Sequence, residues 1–315
     1  MVDVADGSVA AIARASTLWI AVGSTASDGA GSLSLAVAVD RDGALVWGPL
    51  AEHGPGASRD ARGVAAGTDD DAWIVGDEDG PMGVRAWAQR VASDGETLDR
   101  LAFDTLVDDR FVTAVDAAVP IAGGATDGGA WLHGLADPTW DRLVPAHELR
   151  ALAGRDDGAV AALLADADGG LFVHVLAPGG ALMSASPSAL AGATTLALAR
   201  DGAVLSAATI DGALVAARSD TAGTLVWSTT IPGGVAIAAV LEHDDGDVAL
   251  VGTRGSEADA QPWIGRCDPA GSLRWQRTLA DATGTRIVGA TQHDDGGLVL
   301  AGTRGDRVWL AAVAP

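Results

Sequence analysis

The sequence predicts an all-β protein, a seven-bladed β-propeller of four-stranded antiparallel blades that forms a single domain over residues 1–315 and is closed into a ring by its N-terminal segment. Three observations predict it. The string Asp-x-x-Gly-x-Leu-x-Trp occurs from Asp40 to Trp47, from Asp220 to Trp227 and from Asp268 to Trp275. The last two copies start 48 residues apart and the first two 180 apart, which leaves room for three degraded copies of about 45 residues each, the length of one propeller blade. Tight Asp-Gly turns separate alternating or continuous apolar runs, with no helical stripe, as in a succession of hairpins. Finally, aligning Trp309 with Trp263 sets Pro315 opposite Pro269, so the last repeat stops where its fourth strand should begin. Val2 to Ala5 is expected to supply that strand.

Repeats begin near Val9, Arg62, Phe111, Leu149, Thr195, Val235 and Arg286. In the seventh, Arg286 to Gln292 reads as a first strand, His293-Asp-Asp-Gly-Gly as a turn, Leu298 to Gly302 as a second strand and Arg307 to Val313 as a third. The sixth repeats this order with Ala236 to Leu241, His243-Asp-Asp-Gly, Val248 to Gly252 and Trp263 to Cys267, then adds a fourth strand over Leu273 to Leu279. Second strands of the earlier repeats are expected at Leu18 to Gly23, Trp73 to Gly76, Val119 to Gly123, Val160 to Leu164 and Val204 to Ala207. The segment from Pro145 to Leu152 has some helical character but falls where a first strand is due. Trp47, Trp140, Trp227 and Trp275 are placed on fourth strands, and Trp87, Trp131, Trp263 and Trp309 on third strands, where large rings cover the faces between blades. In the motif itself, Asp bonds the backbone two residues on and Gly takes positive φ.

These strings, with Asp-Asp-Gly-Gly-Leu-Val-Leu-Ala-Gly-Thr followed by Trp-Leu, resemble the bacterial propeller repeats of the quinoprotein-like superfamily. They are most similar to those of exported proteins and lipoproteins of high-GC bacteria. The resemblance covers nearly the whole chain and implies a fold rather than an activity, since many functions use such repeats. Quinone-dependent dehydrogenases of that superfamily are typically longer and eight-bladed, often with adjacent cysteines near the cofactor; the single Cys267 and about seven blades depart from that pattern.

Composition narrows function mainly by exclusion. The chain carries a net charge of −22 and no Lys, Asn or Tyr, which fits a GC-rich genome or adaptation to salt. Such a field repels nucleic acid and anionic membranes, so neither is expected as a partner, and no apolar run is long enough for membrane insertion. Without lysine there is no Walker A, kinase-type or Schiff-base site, and one cysteine allows no intramolecular disulfide or thiolate cluster. His147-Glu148 lacks the second histidine of a zinc helix. The acidic clusters, among them Asp69 to Asp71 and Asp77 to Asp79, lack a full calcium ligand set and read as solvated turns. No cofactor and no metal are expected. The N-terminus has no basic and apolar leader, so the chain as written reads as cytoplasmic; a removed signal would place it in the cell envelope or outside the cell.

The candidate ligand-binding residues are Arg62, Arg110, Arg150 and Arg286, at the starts of first strands, and Arg254 and Arg304, which follow Val-Gly-Thr and Ala-Gly-Thr at the ends of second strands. Both sets belong on the face that carries the loops between second and third strands and between blades, a face also bearing the longer loops Ser24 to Ser32 and Gly255 to Gln261. Guanidiniums around one mouth would receive an anionic ligand, a carboxylated sugar or small molecule or an acidic protein segment. Nearby acids such as Asp60, Asp108, Asp109 and Asp281 compete for them as surface ion pairs. The expected function is non-enzymatic binding or scaffolding, by a monomer or by one domain of a larger surface protein. The rival is a glycan hydrolase or lyase acting at the channel mouth.

Overall fold

A computed structural model describes residues 2–26, 31–52, 58–67, 71–80, 83–103, 110–115, 119–126, 128–137, 139–145, 147–293 and 295–314. After β1 (Val2–Asp6), the first blade comprises β2 (Ser8–Ala15), β3 (Leu18–Ala26), β4 (Ser32–Val39) and β5 (Leu45–Glu52). The second comprises β6 (Arg59–Ala66), β7 (Ala72–Gly80), β8 (Gly83–Val91) and β9 (Thr97–Ala102). Blade 3 is β10 (Arg110–Val115), β11 (Ile121–Thr126), β12 (Gly129–Gly134) and β13 (Asp141–Pro145). Blade 4 is β14 (His147–Gly154), β15 (Val160–Asp166), β16 (Leu171–Leu176) and β17 (Leu182–Pro187). Blade 5 follows with β18 (Thr195–Leu198), β19 (Val204–Ile210), β20 (Ala213–Ser219) and β21 (Leu225–Ile231). Blade 6 is β22 (Val235–Glu242), β23 (Val248–Arg254), β24 (Gln261–Cys267) and β25 (Leu273–Thr278). Blade 7 takes β26 (Thr285–Gln292), β27 (Leu298–Arg304) and β28 (Arg307–Val313) from the end of the chain and β1 from its beginning, in the order β26-β27-β28-β1.

Ring closure is therefore as expected. Val2 pairs with Leu310, Asp3 with Trp309, Ala5 with Val308 and Asp6 with Arg307. Ala5 is buried in the joint between blades 7 and 1, against residues such as Val9, Val37, Val299 and Leu310. Asp3 also binds Arg304 of β27.

The core consists of seven apolar clusters, one for each pair of consecutive blades. Trp87, Trp263 and Trp309 of the third strands are each at most 2% exposed. Trp140 is a correction: it precedes β13 rather than lying in it, because the turn from Gly134 to Trp140 is longer than the other turns between third and fourth strands. The stretch with helical character is strand β14.

The motif explains how blades lock together. In the turns that open at Asp40, Asp220 and Asp268, one carboxylate oxygen accepts the amides two and four residues on, at 2.8–3.0 Å. The motif glycine closes the turn in left-handed backbone, as at Gly271 with φ 85°. At Gly271 the tryptophan of the preceding blade lies on that glycine, whereas Gly223 meets Ser186. A Cβ at Gly271 would come within 2.6 Å of the Trp227 ring, whose Nε1 donates to the Pro269 carbonyl at 3.0 Å. Trp47 meets Gly95 and Ser93 O, and Trp140 meets Gly180 and Pro178 O, in the same way. Blades 2 and 4 keep the turn with Ala92 and Ala177 in place of Asp, which is why their copies of the motif look degraded.

One feature was not visible in the sequence. Six of the seven innermost strands carry a β-bulge, for example between Ile237 and Ala239 and between Ile287 and Gly289. Beside it, the second-strand glycine sits so close to the first strand that a Cβ on Gly252 or Gly302 would approach a carbonyl oxygen to 2.3 or 2.4 Å. The threonine that follows crosses to the next blade: Thr253 Oγ1 accepts the Ile287 amide at 2.9 Å, and Thr303 Oγ1 the Val9 amide at 3.2 Å.

Deleting residues 1 to 6 removes an entire strand and one wall of the closing joint. The melting temperature is expected to fall by at least ~5 °C, well beyond the effect of trimming an unpaired tail. Calorimetry of the truncated and full chains checks this.

Candidate functional site

The innermost strands enclose a channel of about 480 Å³ lined by small and apolar residues such as Ala11, Ala13, Val64, Ala114, Leu196 and Val240. Its charged lining, Arg155, Asp156, Arg200 and Glu242, lies at the mouth formed by the turns between first and second strands, the turn face. The six arginines singled out from the sequence belong to the other end, the loop face, and among the described side chains none of them lines this cavity.

At the loop face their environments differ. Arg62 and Arg150 are not strand starts, because β6 begins at Arg59 and β14 at His147; both are the extra residues of bulges. Arg62 donates to Asp77 at 2.7 Å and Asp60 at 3.1 Å, and the Asp77 hydrogen bond raises its pKa above the ordinary guanidinium value. Arg150 pairs with Glu148 at 3.0 Å, and Arg304 with Asp3. Arg110 starts β10, and its side chain, like Asp108 and Asp109, lies outside the described residues. So does part of the Ser24 to Ser32 loop, while the Gly255 to Gln261 loop contains a 3-10 turn, Glu257–Asp259.

Two arginines remain without a carboxylate partner among the described residues. Arg254 is half-buried; its Nη2 donates to Gln276 at 3.3 Å and its guanidinium lies 5.9 Å from the Trp263 ring centroid. Arg286 is exposed. The Thr253–Ile287 hydrogen bond joins the residues next to them, so the arginines flank one joint, between blades 6 and 7.

The turn-face mouth, by contrast, is internally satisfied. Arg155 donates to Asp157 at 2.6 Å and to the carbonyls of Ala199 and Arg200 in the next blade. Arg200 in turn binds the Asp244 carbonyl and carboxylate, and its amide donates to Glu242 at 2.8 Å. Arg218 joins Glu242 at 3.1 Å to Asp201 at 2.8 Å. Onward around the ring, Gln292 Nε2 donates to His243 Nδ1 at 3.3 Å, and His293 stacks on Trp19 with ring centroids 5.0 Å apart. These contacts stitch blades 4, 5, 6, 7 and 1 in order. The equivalence of His243 and His293 in the sequence was the readable sign of this belt, since Arg155 precedes the same Asp-Asp-Gly turn.

A second network escaped sequence reasoning. Arg59, 6% exposed, is held 4.0 Å from the Trp87 ring centroid, donates to Gln89 at 3.2 Å and Glu52 at 3.5 Å, and lies in ion-pair range of Glu78 at 3.8 Å. Arg85 and Arg100 complete it at 2.8 Å from Glu78 and 2.9 Å from Glu52. Burial lowers the Arg59 pKa against the pull of both carboxylates. Its members come from five strands of two blades, so no local spacing could have announced it. It joins blades 1 and 2, and both of its carboxylates, Glu52 and Glu78, are paired with arginine. Among the described residues no group of His, Cys, Asp or Glu side chains is placed to hold a metal.

No family model and no curated protein matches the sequence. In structure the chain is similar to the WD40 β-propeller domain of Doa1, at 14% identity, covering 98% of this chain and 94% of that one with a TM-score of 0.64. It is also similar to YCF48 bound to D1 peptide, at 13% identity, with coverage of 100% and 94% and a TM-score of 0.65. A third likeness is to Sqt1 of Chaetomium thermophilum bound to the N-terminus of ribosomal protein L10, at 14% identity, 98% and 97% coverage and a TM-score of 0.58. At these identities the likeness establishes the seven-bladed fold.

Protonation of the turn-face belt opposes folding. The hydrogen bond from Arg155 holds the Asp157 carboxyl at about 2, so its stabilisation is complete above the ordinary value of 3.8 and is lost as pH falls through about 2. Burial, and then Arg266, lower the His243 pKa below 6.5, so its protonation favours the unfolded chain as pH drops below 6.5. Melting temperature is therefore expected to decline below pH 6.5 and again below 3.8, and His243→Gln should flatten the first decline in thermal melts recorded across pH.

Proposed function

We propose that this chain is a non-enzymatic binding propeller that receives an acidic segment of a protein partner on its loop face, where Arg254 and Arg286 flank the joint between blades 6 and 7. The observation that carries this reading is the contrast among the arginines: Arg62, Arg150 and Arg304 are paired with carboxylates, whereas these two neighbours have none among the described residues. Guanidinium stays charged and offers forked donors to a carboxylate, so a pair of them provides a local cation site on a chain of net charge −22. YCF48 and Sqt1, whose folds this chain shares, were solved with peptides of other proteins bound, which supports a protein partner over a glycan. The quinoprotein-like relationship is part of the same proposal, supported by the tryptophan-on-turn locks that the repeats build.

Hexaglutamate and an oligogalacturonate serve as probes in calorimetric titration. Hexaglutamate is expected to bind, more weakly as salt rises from ~50 to ~200 mM, and Arg254→Ala or Arg286→Ala should each weaken it about tenfold without moving the melt. Arg62→Ala should change binding little, because Asp60 and Asp77 already neutralise that side chain. Turnover of the oligogalacturonate would favour the hydrolase or lyase instead, and absence of binding by either probe would remove the anion site.

A further inference from the structure

The joint between blades 3 and 4 takes in basic side chains without a matching acid. Neighbours across a strand pair share a face of the sheet. Arg142 of β13 pairs with Leu132, His174 of β16 with Ala162, and Phe172 with Leu164, and all three partners belong to the apolar cluster of this joint. Arg142 therefore enters the joint from one wall, and Phe172 and His174 from the other. The ring of His147, on β14, lies 5.9 Å from Phe172 and 6.2 Å from His174, centroid to centroid. Arg59, by contrast, enters the joint between blades 1 and 2 together with Glu52 and Glu78.

Two buried polar atoms are left over there. Arg142 Nη1 donates to the Gly180 carbonyl at 3.2 Å, but Arg142 Nε has no partner among the described residues, and neither has His174 Nδ1. His147 Nδ1 donates to the Pro145 carbonyl at 2.7 Å. The acids of the surrounding strands are engaged elsewhere. Asp141 accepts from Trp131 Nε1 at 2.5 Å and contacts His133, Glu148 pairs with Arg150, and Asp166 accepts the turn amides of Asp168 and Gly170. Strand β17 and the turn before it, from Ala177 to Ala181, carry no charged side chain.

We propose that this joint is a site for a free tetrahedral oxyanion, sulfate or inorganic phosphate, which binds the Nε–Nη2 edge of Arg142 and accepts a hydrogen bond from a protonated His174 Nδ1. That edge of a guanidinium offers two parallel donors to two oxygens of one anion. A buried donor left unsatisfied is costly, so the anion would stabilise the joint it enters and hold β13 to β16. Arg142, His147 and His174 are each half-buried, so a small ion reaches the two buried atoms from the rim. Burial, then His147 and Arg142, lower the His174 pKa below 6.5 in the free chain. A bound anion favours the imidazolium, so binding takes up a proton and tightens as pH falls. The site is in another joint from Arg254 and Arg286 and stands independently of the reading given for that pair.

Sulfate is the main probe, because its own charge is constant across the pH range in which histidine titrates. Calorimetric titration of the full chain, with chloride holding the ionic strength constant, should show one saturable site with Kd below ~5 mM near pH ~6. Affinity should fall by up to about tenfold for each unit of rising pH. Arg142→Gln and His174→Gln should each weaken binding about tenfold, and His174→Gln should also remove the pH dependence. Nitrogen-15 NMR of the imidazoles needs no substitution: sulfate should raise the His174 pKa and leave that of His243 unchanged. Inorganic phosphate and O-phosphoserine, compared at one pH, separate the two sources of this chemistry. Weaker binding of O-phosphoserine supports a free ion enclosed by the joint, and equal or tighter binding overturns that in favour of a phosphoryl group carried by a larger ligand. No saturable sulfate binding up to ~20 mM, binding that survives both substitutions, or a His174 titration that sulfate does not move would each overturn the proposal.

Discussion

No blade of this protein can bury its own two faces, and everything else in the structure follows from that constraint. A four-stranded sheet presents apolar side chains on both sides, so its neighbours must cover them and the series must close on itself. The seven apolar clusters lie between blades accordingly. Tryptophan is the economical residue for this task, since each ring removes ~200 Å² from water, or about 5 kcal/mol at 25 cal/mol per Å² as an upper bound. The repeats add direction to that burial: Gly95, Gly180 and Gly271 each receive the ring of the blade before, from Trp47, Trp140 and Trp227.

The same constraint enlists part of the charge. Arg155, Arg200, Arg218 and the buried Arg59 bridge consecutive blades, whereas Arg62, Arg85, Arg150, Arg266 and Arg274 pair with acids of their own blade. Partly buried pairs of this kind act chiefly by penalising the loss of either partner. Of the loop-face arginines, Arg254 and Arg286, beside the Thr253 latch, are the two that these pairings leave without a carboxylate among the described residues.

Strand order and blade count were legible because the signals are local. Asp, Gly and Trp at fixed spacing mark a turn and the strand beyond it, and setting Pro315 opposite Pro269 exposed the missing strand that β1 supplies. Contacts between blades were not legible, because they join residues about 45 positions apart with no shared pattern: the Arg59 network and the Arg155 to Ala199 link are of this kind. Bulges also hide from alternation, since one extra residue shifts the apolar phase, and this is why Arg62 and Arg150 resembled strand starts. Trp140 was misplaced for a related reason, as its turn is longer than the motif allows.

The claim that tryptophan-on-glycine contacts hold the ring together is tested most directly by a double-mutant cycle on Trp227 and Gly271, with unfolding free energies from denaturant titration. Trp227→Ala alone should cost ~3 kcal/mol, and Gly271→Val alone a comparable amount, because its side chain would strike the ring and its backbone is left-handed. If the contact is what couples the blades, the double variant will cost at least ~1 kcal/mol less than the sum of the two. Additive losses would contradict the account, and would mean that the tryptophan stabilises only its own blade.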